Sequence, residues 1–324
     1  MNWNALRRLR TRFLQFDPRN EAIVHGPDRT DYWGSHSELV SYDFTFAERI
    51  GWKWDTVLAE LKKRGWTLPQ GTVLDWGCGT GVAGRRVVEA WNSQVHSLAL
   101  HDRSVPAQRF AAERARAAFP GLAVEIATPT APEVLVLSHV LNELTPDALE
   151  HLLTLAAKAQ VVLWIEPGTS PVSRQLIAVR ERLLTQFRVV APCPHALACG
   201  MLATGNERHW CHHLARVPGY VHTDPGWGRF AQTLELDLSR VPFSFLVLDR
   251  RPETETIGNA RVIGEPRYYK GFAKILACQA GEVRELVLQK RDAPELLKAM
   301  KKAPGSLYRW EREGDKIRRG EQIF

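Results

Sequence analysis

Apolar and polar residues alternate along this chain in two successive patterns. Residues 44–63 (FTFAERIGWKWDTVLAELKK) carry apolar side chains at helical spacing, and Pro69 with Gly71 ends that segment. From residue 72 onward, short apolar segments alternate with longer amphipathic ones. The short segments predict strands at 72–75, 95–100, 123–127, 133–139 and 160–165, and the longer ones predict helices at 82–90, 107–118, 147–157 and 174–184. This alternation is typical of a parallel sheet covered by helices, which binds ligands at the carboxyl ends of its strands.

The regular alternation stops near residue 190. Residues 191–230 are rich in Gly, Pro, Cys and His and show no clear periodicity, and a stretch of that length is usually functional or disordered. Residues 293–324 are predicted to be helical at first and then a solvated tail of mixed charge. Between these two regions, strands are predicted at 243–248, 271–277 and 283–289.

The composition is that of a globular protein with a basic surface. Hydrophobic residues make up 44% and charged residues 24% of the 324 residues, which is ordinary for a chain with a packed core. The formal charge of +7 and the pI of 9.3 favour a polyanionic partner. No run of about 18 apolar residues is present, so we expect no membrane-spanning helix.

The N-terminal segment, MNWNALRRLRTRFLQF, is rich in arginine and lacks the continuous apolar stretch of a secretory signal. Two interpretations stay open for it. It is either a surface helix with Leu6, Leu9 and Phe13 packed inward, or a mitochondrial presequence. We therefore expect a cytoplasmic protein, with the mitochondrial matrix as the alternative location.

A glycine-rich loop follows the first predicted strand. Asp75, Gly77, Gly79 and Gly81 stand two residues apart, and glycine lets the backbone turn tightly and approach a ligand. The spacing is not the G-x-G-x-x-G of dinucleotide enzymes, and no Lys-Ser/Thr pair follows as in a P-loop. The segment resembles motif I of class I methyltransferases, which bind S-adenosylmethionine (SAM). The resemblance implies that Asp75 and the three glycines border the cofactor, and that Asp102 holds its ribose hydroxyls.

No catalytic motif is recognisable after the fourth predicted strand. Methyltransferases that act on base amino groups usually have [D/N]-P-P-[Y/F/W] there, whereas residues 138–144 read SHVLNEL, without proline or an aromatic residue. His139, Asn142, Glu143 and Glu166 could border the cofactor pocket, and His139 could act as a base. Buried structural roles explain each of these residues equally well, so the catalytic residues stay unknown.

Four of the five cysteines stand in the C-terminal half of the chain. Cys193, Cys199 and Cys211 share one stretch, and Cys278 follows. Thiolates gathered in this way in a reducing compartment usually hold a metal. The chemistry alone leaves a zinc site, completed by His212 or His213, and a four-iron cluster both open. The absence of the C-x3-C-x2-C spacing disfavours a radical-SAM cluster.

Several short segments around the cysteines resemble one family. They are IEPGT (165–169), APCPH (191–195), WCH (210–212), FSFLVL (243–248) and the Lys270-Gly271 pair before Cys278. In this order they resemble the methyltransferase-like small-ribosomal-subunit assembly factors, which comprise a mitochondrial factor and bacterial relatives often described as rRNA methyltransferases. The resemblance covers roughly residues 70–290. It implies a four-iron, four-sulfur cluster held by Cys193, Cys199, Cys211 and Cys278. The chain departs from the family at Gly200, where proline usually follows the second cysteine, and in a longer gap before Cys211.

Together these features predict an α/β protein with a class I SAM-methyltransferase (Rossmann-like) parallel sheet. We expect an N-terminal helical segment (1–70), a SAM-methyltransferase-like domain (71–190), a β-rich extension bearing the metal cluster (191–292) and a charged tail (293–324). The expected function is assembly of the small ribosomal subunit by a monomer that contacts rRNA phosphates and no membrane. Two alternatives stay open: an active SAM-dependent rRNA methyltransferase, and a zinc-stabilised methyltransferase acting on protein or a small molecule.

Overall fold

The computed structural model describes residues 1–14, 33–127, 130–252, 259–302 and 306–324 of the chain. These residues form two compact units, each assembled from separate stretches of sequence. The first unit contains residues 1–166 and 215–243, and the second contains residues 167–214 and 244–324.

Both units combine helices with strands. The helices are α1 (Trp3–Leu14), α2 (His36–Tyr42), α3 (Glu48–Lys63), α4 (Val82–Ala90), α5 (Val105–Ala118), α6 (Pro146–Ala156), α7 (Ser170–Leu183), α8 (Pro225–Leu234) and α9 (Pro294–Lys302). The strands are β1 (Gly71–Trp76), β2 (Val95–His101), β3 (Ala123–Ile126), β4 (Val134–Ser138), β5 (Val161–Pro167), β6 (Arg188–Ala191), β7 (His213–Leu214), β8 (Pro242–Asp249), β9 (Asn259–Val262), β10 (Arg267–Tyr269), β11 (Phe272–Gln279), β12 (Glu282–Gln289), β13 (Leu307–Glu313) and β14 (Lys316–Gln322).

The first unit is built on a parallel sheet with the strand order β3-β2-β1-β4-β5. Its central strands are buried on both faces, and the side chains of residues 134–137 are fully inaccessible to solvent. Strands with helices on both sides read as continuous apolar runs, which is why the sequence pattern located them. The predicted alternation of strands and helices is therefore confirmed, and α4 begins and ends where it was expected.

The described residues that precede β1 are mostly helical, as predicted. In α1 the side chains of Leu6 and Leu9 are buried, as the surface-helix interpretation requires, whereas the side chain of Phe13 lies outside the described residues. The single helix predicted over 44–63 is divided, because a short π-helical turn at Asp43–Ala47 precedes α3. Among the described residues, no helix is both long and apolar enough to cross a membrane.

The second unit contains a small closed barrel. Its strands follow the order β9-β11-β12-β14-β13 and return to β9, with β12 and β14 parallel and the other pairs antiparallel. Strand β10 extends β11 as a hairpin, and β6 pairs with β8 in an antiparallel ladder outside the barrel. Helix α9 packs against the barrel core. That core is lined by Ala260, Val262, Ala273, Ile275, Ala277, Leu286, Leu288, Leu296, Leu297, Met300, Tyr308, Trp310 and Ile317.

The prediction of a solvated tail after residue 293 is wrong. Helix α9 is present, but β13 and β14 then complete the barrel and bury Tyr308, Trp310 and Ile317. The strands escaped notice because their outward positions carry Arg309, Glu311 and other charged residues. These charges mask the short apolar alternation of the two strands.

Candidate functional sites

The glycine-rich loop connects β1 to α4 in the first unit. Gly77, Gly79 and Gly81 have φ angles of +70°, +52° and +77°, a region that residues with a Cβ rarely adopt. The amides of Gly77 and Cys78 both donate to the carbonyl oxygen of His101, at 2.7 and 3.0 Å. The loop therefore lies at the carboxyl ends of β1 and β2, where the parallel sheet was expected to bind a ligand.

The three glycines of the loop differ in how much free space surrounds the position of a Cβ atom. A Cβ on Gly77 would lie 2.7 Å from Val140 Cγ1, and one on Gly81 would lie 2.9 Å from Ala111 Cβ. At Gly79 no heavy atom lies within 4 Å of the corresponding position. The loop is therefore closely packed at both ends and open at its centre.

Two carboxylates support this loop. Asp75 is fully buried and accepts the amide of Gly84 at 2.8 Å through Oδ2, while its Oδ1 has no hydrogen-bond partner among the described residues. Burial raises the pKa of Asp75 to about 7, against the opposing effect of the Gly84 hydrogen bond. Asp102 accepts the amides of Gly79 and Ser104, each at 2.8 Å. The structure thus brings the predicted loop residues and both acids together.

A buried polar cluster lies at the carboxyl ends of β4 and β5. Lys53 Nζ contacts His139 Nε2 at 2.8 Å, and His139 has a positive φ of 60°. Glu166 Oε1 accepts from Trp164 Nε1 at 2.7 Å and from the amides of Val140 and Leu141 at 3.1 Å. Burial, with the charge of Arg49, lowers the pKa of Lys53 to about 7, and burial raises that of Glu166 to about 7.

Lys53 was missed by the sequence interpretation. It stands on α3 between Trp52 and Trp54, both of which are fully buried. A lysine between two buried tryptophans was the available signal, because a charged residue inside an apolar helix face requires a polar partner. His139 and Glu166 were considered as pocket residues, and the structure gives each of them buried partners.

The four cysteines of the C-terminal half all belong to the second unit. Cys278 on β11 is buried in an apolar cluster with Ile177, Met201, Ile263 and Val283. Cys199 and Cys211 pack against the same cluster. Cys193 is half-buried and hydrogen-bonds the side chain of Arg180. The remaining cysteine, Cys78, is buried in the glycine loop, where it fills space as expected.

Helix α7 holds the cysteine-bearing segment in place through its polar side chains. Arg180 donates to the carbonyl oxygens of His195 and Leu197, each at 3.0 Å. Glu181 accepts the amide of Cys199 at 3.2 Å, and Ser173 donates to the carbonyl oxygen of Cys211 at 2.7 Å. A segment without regular structure must satisfy its backbone groups through side chains, and α7 provides these partners.

The thiols are close enough to influence one another electrostatically. Burial is the main cause that raises the pKa of Cys211 and Cys278, and the negative charges of the other cysteines of the set raise it further. His195 Nε2 lies 3.1 Å from Cys278 Sγ, and His213 Nε2 lies 3.8 Å from Cys211 Sγ. Within the described ranges, no three His, Cys, Asp or Glu side chains are arranged to hold a single metal ion.

Similarity to solved structures is distant. Magnesium protoporphyrin IX methyltransferase from Synechocystis PCC 6803 with bound SAM is 12% identical, with 76% of this chain and 97% of that chain covered and a TM-score of 0.39. A SAM-dependent methyltransferase from Aquifex aeolicus is 14% identical, with 50% and 93% covered and a TM-score of 0.37. Ribosomal protein L11 methylase from Lactobacillus delbrueckii subsp. bulgaricus is 18% identical, with 42% and 71% covered and a TM-score of 0.31. These scores are too low to support a conclusion about activity. Among curated proteins, none matches the chain.

The strand order of the first unit, with its glycine loop and acids, defines a class I methyltransferase-like α/β fold. The family follows from a comparison of sequence alone. The chain belongs to the family described as mitochondrial small ribosomal subunit Rsm22, whose profile matches residues 47–313. This match spans both the glycine loop and the four cysteines, and it confirms the resemblance noted from the short motifs.

Proposed function

We propose that the protein binds the small ribosomal subunit through its rRNA and acts in the assembly of that subunit. The observation that carries the proposal is the family match over residues 47–313, since the family description names the small ribosomal subunit. The formal charge of +7 supports an rRNA partner, because binding to phosphates is driven by basic side chains. The small subunit lies in the bacterial cytoplasm or in the mitochondrial matrix, and the family description names the mitochondrial one.

A four-iron, four-sulfur cluster held by Cys193, Cys199, Cys211 and Cys278 is part of the proposal. Thiols are the soft donors that iron–sulfur clusters and zinc select. A zinc ion needs four donors at about 2.0–2.3 Å from one point, and no group of the described side chains is arranged for a single ion. In a four-iron cluster each cysteine binds a different iron, so the thiols stand further apart. The four thiols are close enough to raise one another's pKa, and the resemblance of the short motifs around them favours the cluster over zinc.

The cluster, when bound, supplies covalent links between the segment 193–211 and strand β11. The chain's own contribution is the positioning of the thiols. Arg180 and Glu181 fix the backbone near the first two cysteines, and Ser173 fixes the backbone of Cys211. A site with four thiolates and no position for a substrate is structural, so we assign the cluster a supporting role.

SAM binding at the glycine loop is also proposed. Asp75 Oδ1 is buried without a partner, and buried carboxylate oxygens are rarely left so unless a ligand or water completes them. The open side of Gly79 leaves room for a ligand to approach the backbone. Asp102 is placed beside Gly79 and retains lone pairs beyond the two amides that it accepts. SAM, when bound, supplies an electrophilic methyl group.

An active rRNA methyltransferase is the second candidate, and the incomplete hydrogen bonding of Asp75 favours it. Against methyl transfer, the region after β4 has no aromatic residue to stack on a base, and His139 is buried against Lys53. The first candidate needs no catalytic residue. Binding and assembly therefore explain the described features with fewer requirements than catalysis does.

Co-sedimentation tests the proposal. The tagged full chain, expressed in cells that lack the endogenous protein, should migrate with small-subunit particles and not with large-subunit particles in a gradient. Free protein at the top of the gradient under low and moderate salt would refute binding. Mapping of small-subunit rRNA methylation with and without the protein separates the candidates: a nucleotide that loses its methyl group establishes catalysis, and an unchanged map assigns binding alone.

A further inference from the structure

The connectivity of the small barrel is that of an oligonucleotide-binding (OB) fold. If the barrel strands are counted along the chain, β9, β11, β12, β13 and β14 are the first to the fifth. Their order around the barrel is then one, two, three, five, four, and the third and fifth strands are parallel. Helix α9 joins the third strand to the fourth. In this fold, the face of strands two and three and the adjoining loops are where oligonucleotides bind.

One end of that face is covered by the cysteine-bearing segment. The outward side chains of Cys278 and Val283 pack against Met201 and Ile177. Gly200 approaches the β11–β12 turn so closely that a Cβ there would lie 2.3 Å from the carbonyl oxygen of Gly281. Any nucleic acid on this face is therefore confined to the opposite end, where β11 begins and β12 ends.

The opposite end carries a shallow depression of about 590 Å³. It is lined by Lys270, Gly271, Phe272, Gln289, Lys290 and Arg291, which include three cations and no acid. Two nearby carboxylates are already paired: Glu285 with Arg267 and Lys274, and Asp292 with Arg318 and, at 4.0 Å, with Arg291 of the lining. Lys270 and Lys290 leave the depression positively charged, as a phosphate backbone requires.

Aromatic side chains stand beside these cations. Tyr269 and Phe272 stack with ring centroids 4.7 Å apart and an angle of 9° between their planes. Tyr268 and Tyr269 are 38% and 44% exposed, although both are large side chains with an apolar ring. Lys301 lies over the ring of Tyr268 at 5.4 Å, which extends the basic surface onto α9. Exposed aromatic rings beside cations are the combination that binds unpaired bases.

We infer that residues 268–272 and 290–291 form a binding site for single-stranded RNA. This inference rests on the proposed function and specifies which surface contacts the rRNA. The lysines and Arg291 bind the phosphates, and the exposed face of the Tyr269–Phe272 pair stacks on a base. Duplex RNA hides its base faces, so the site selects unpaired segments. A protein partner would not need the row of cations, and the test separates these possibilities.

Binding of fluorescent RNA to the full chain tests the inference. The probes are a single-stranded RNA of mixed sequence, about 12 nucleotides long to match the site size of one OB fold, and a duplex of the same length. The variants are Tyr269→Ala, Tyr269→Phe and the double variant Lys270→Ala/Lys290→Ala. The control is Arg309→Ala/Arg319→Ala, which removes two exposed cations from β13 and β14 of the same barrel.

The wild type should bind the single strand more tightly than the duplex. Tyr269→Ala should weaken binding by about fivefold or more, the lower range for loss of one base stack, and Tyr269→Phe should restore it. The double lysine variant should reduce the slope of log affinity against log salt by about 1.4, because two phosphate contacts are lost. The arginine control should keep the wild-type affinity within about twofold.

Two results would overturn the inference: equal binding of duplex and single strand, or variants at the site that bind as the wild type does. Co-sedimentation of the same variants keeps the two proposals apart. If the wild type migrates with small subunits but does not bind the single strand, this site assignment fails and the proposed function stands. If it neither migrates with the particles nor binds RNA, both fail.

Discussion

Gly200→Ala should disturb the cysteine cluster without changing any cysteine. Its Cβ would lie 2.3 Å from the carbonyl oxygen of Gly281 and 2.8 Å from the amide nitrogen of Val283. Both are backbone atoms, so no side-chain rotation relieves the contact. Ordinary contact begins at 3.4 Å, so the segment and the β11–β12 turn must separate by about 1 Å. Overpacking of this kind costs about 1–3 kcal/mol of unfolding free energy.

The same displacement moves the neighbouring Cys199. Metal–ligand distances tolerate deviations of only about 0.2 Å, so a shift of about 1 Å removes this thiolate from the proposed cluster. We expect Gly200→Ala to lower both the urea midpoint and the iron content of anaerobically purified protein. Gly219→Ala is the matched control, because no atom lies within 4 Å of its Cβ position and its φ is not positive. Wild-type stability together with wild-type iron content in Gly200→Ala would refute the reasoning.

Three further predictions concern the loop acid, the thiols and the barrel. The pKa of Asp75 is about 7 in the folded protein and 3.8 in the unfolded chain. Between these pH values the carboxyl group ionises only in the unfolded state, so the free energy of unfolding falls as pH rises. Asp75→Asn should remove up to about 4 kcal/mol of this decline between pH 4 and 7, as measured by urea titrations. The same dependence of unfolding free energy on pH in the wild type and the variant would contradict the raised pKa of Asp75. Cys211→Ser should lose the iron, whereas Cys78→Ser, which changes a buried cysteine outside the set, should retain it by metal analysis. Trp310→Ala should cost about 3–5 kcal/mol in the same titrations, and a cost near zero would restore the solvated-tail interpretation of residues 293–324.

The parallel sheet could be predicted because strands that are buried on both faces have a recognisable sequence pattern. Strands such as β4 and β5 are continuous apolar runs, and the helices between them show a clean amphipathic period. The glycine loop was found for a related reason. Gly77 and Gly81 combine a positive φ with no room for a Cβ, so each is required locally.

The barrel could not be predicted from the sequence, because its strands are short and their outward residues are charged. In β13 and β14 one residue in two faces solvent and is charged, and the apolar inward residues are few. The five-strand order cannot be read locally, because β9 pairs with both β11 and β13 across long separations in the chain. The proposed RNA-binding end was missed with it. Tyr269 and Lys290 lie at the open end of the β11–β12 hairpin, where the Lys290 amide donates to the carbonyl oxygen of Gly271 at 2.8 Å, but the sequence did not show that this hairpin belongs to a barrel.

The cysteines of the candidate metal site were recognised in the sequence, but the side chains that hold their backbone were not. The spacing of Cys193, Cys199 and Cys211 predicted a metal-binding segment, which stays a prediction, and nothing local indicated that α7 would fix its backbone. Arg180 does so by donating to two carbonyl oxygens that lie fifteen and seventeen positions further along the chain. The buried contact of Lys53 with His139 was likewise beyond sequence reasoning, because 86 positions separate the two residues.

The central claim is that four gathered thiols hold an iron–sulfur cluster that supports the RNA-binding unit. The most direct measurement is the metal and sulfide content of the full chain after anaerobic purification, together with its visible absorption. The account predicts a brown protein with about four iron atoms and about four sulfides per chain. A colourless protein with one zinc ion per chain, or with no metal at full stability, would contradict it.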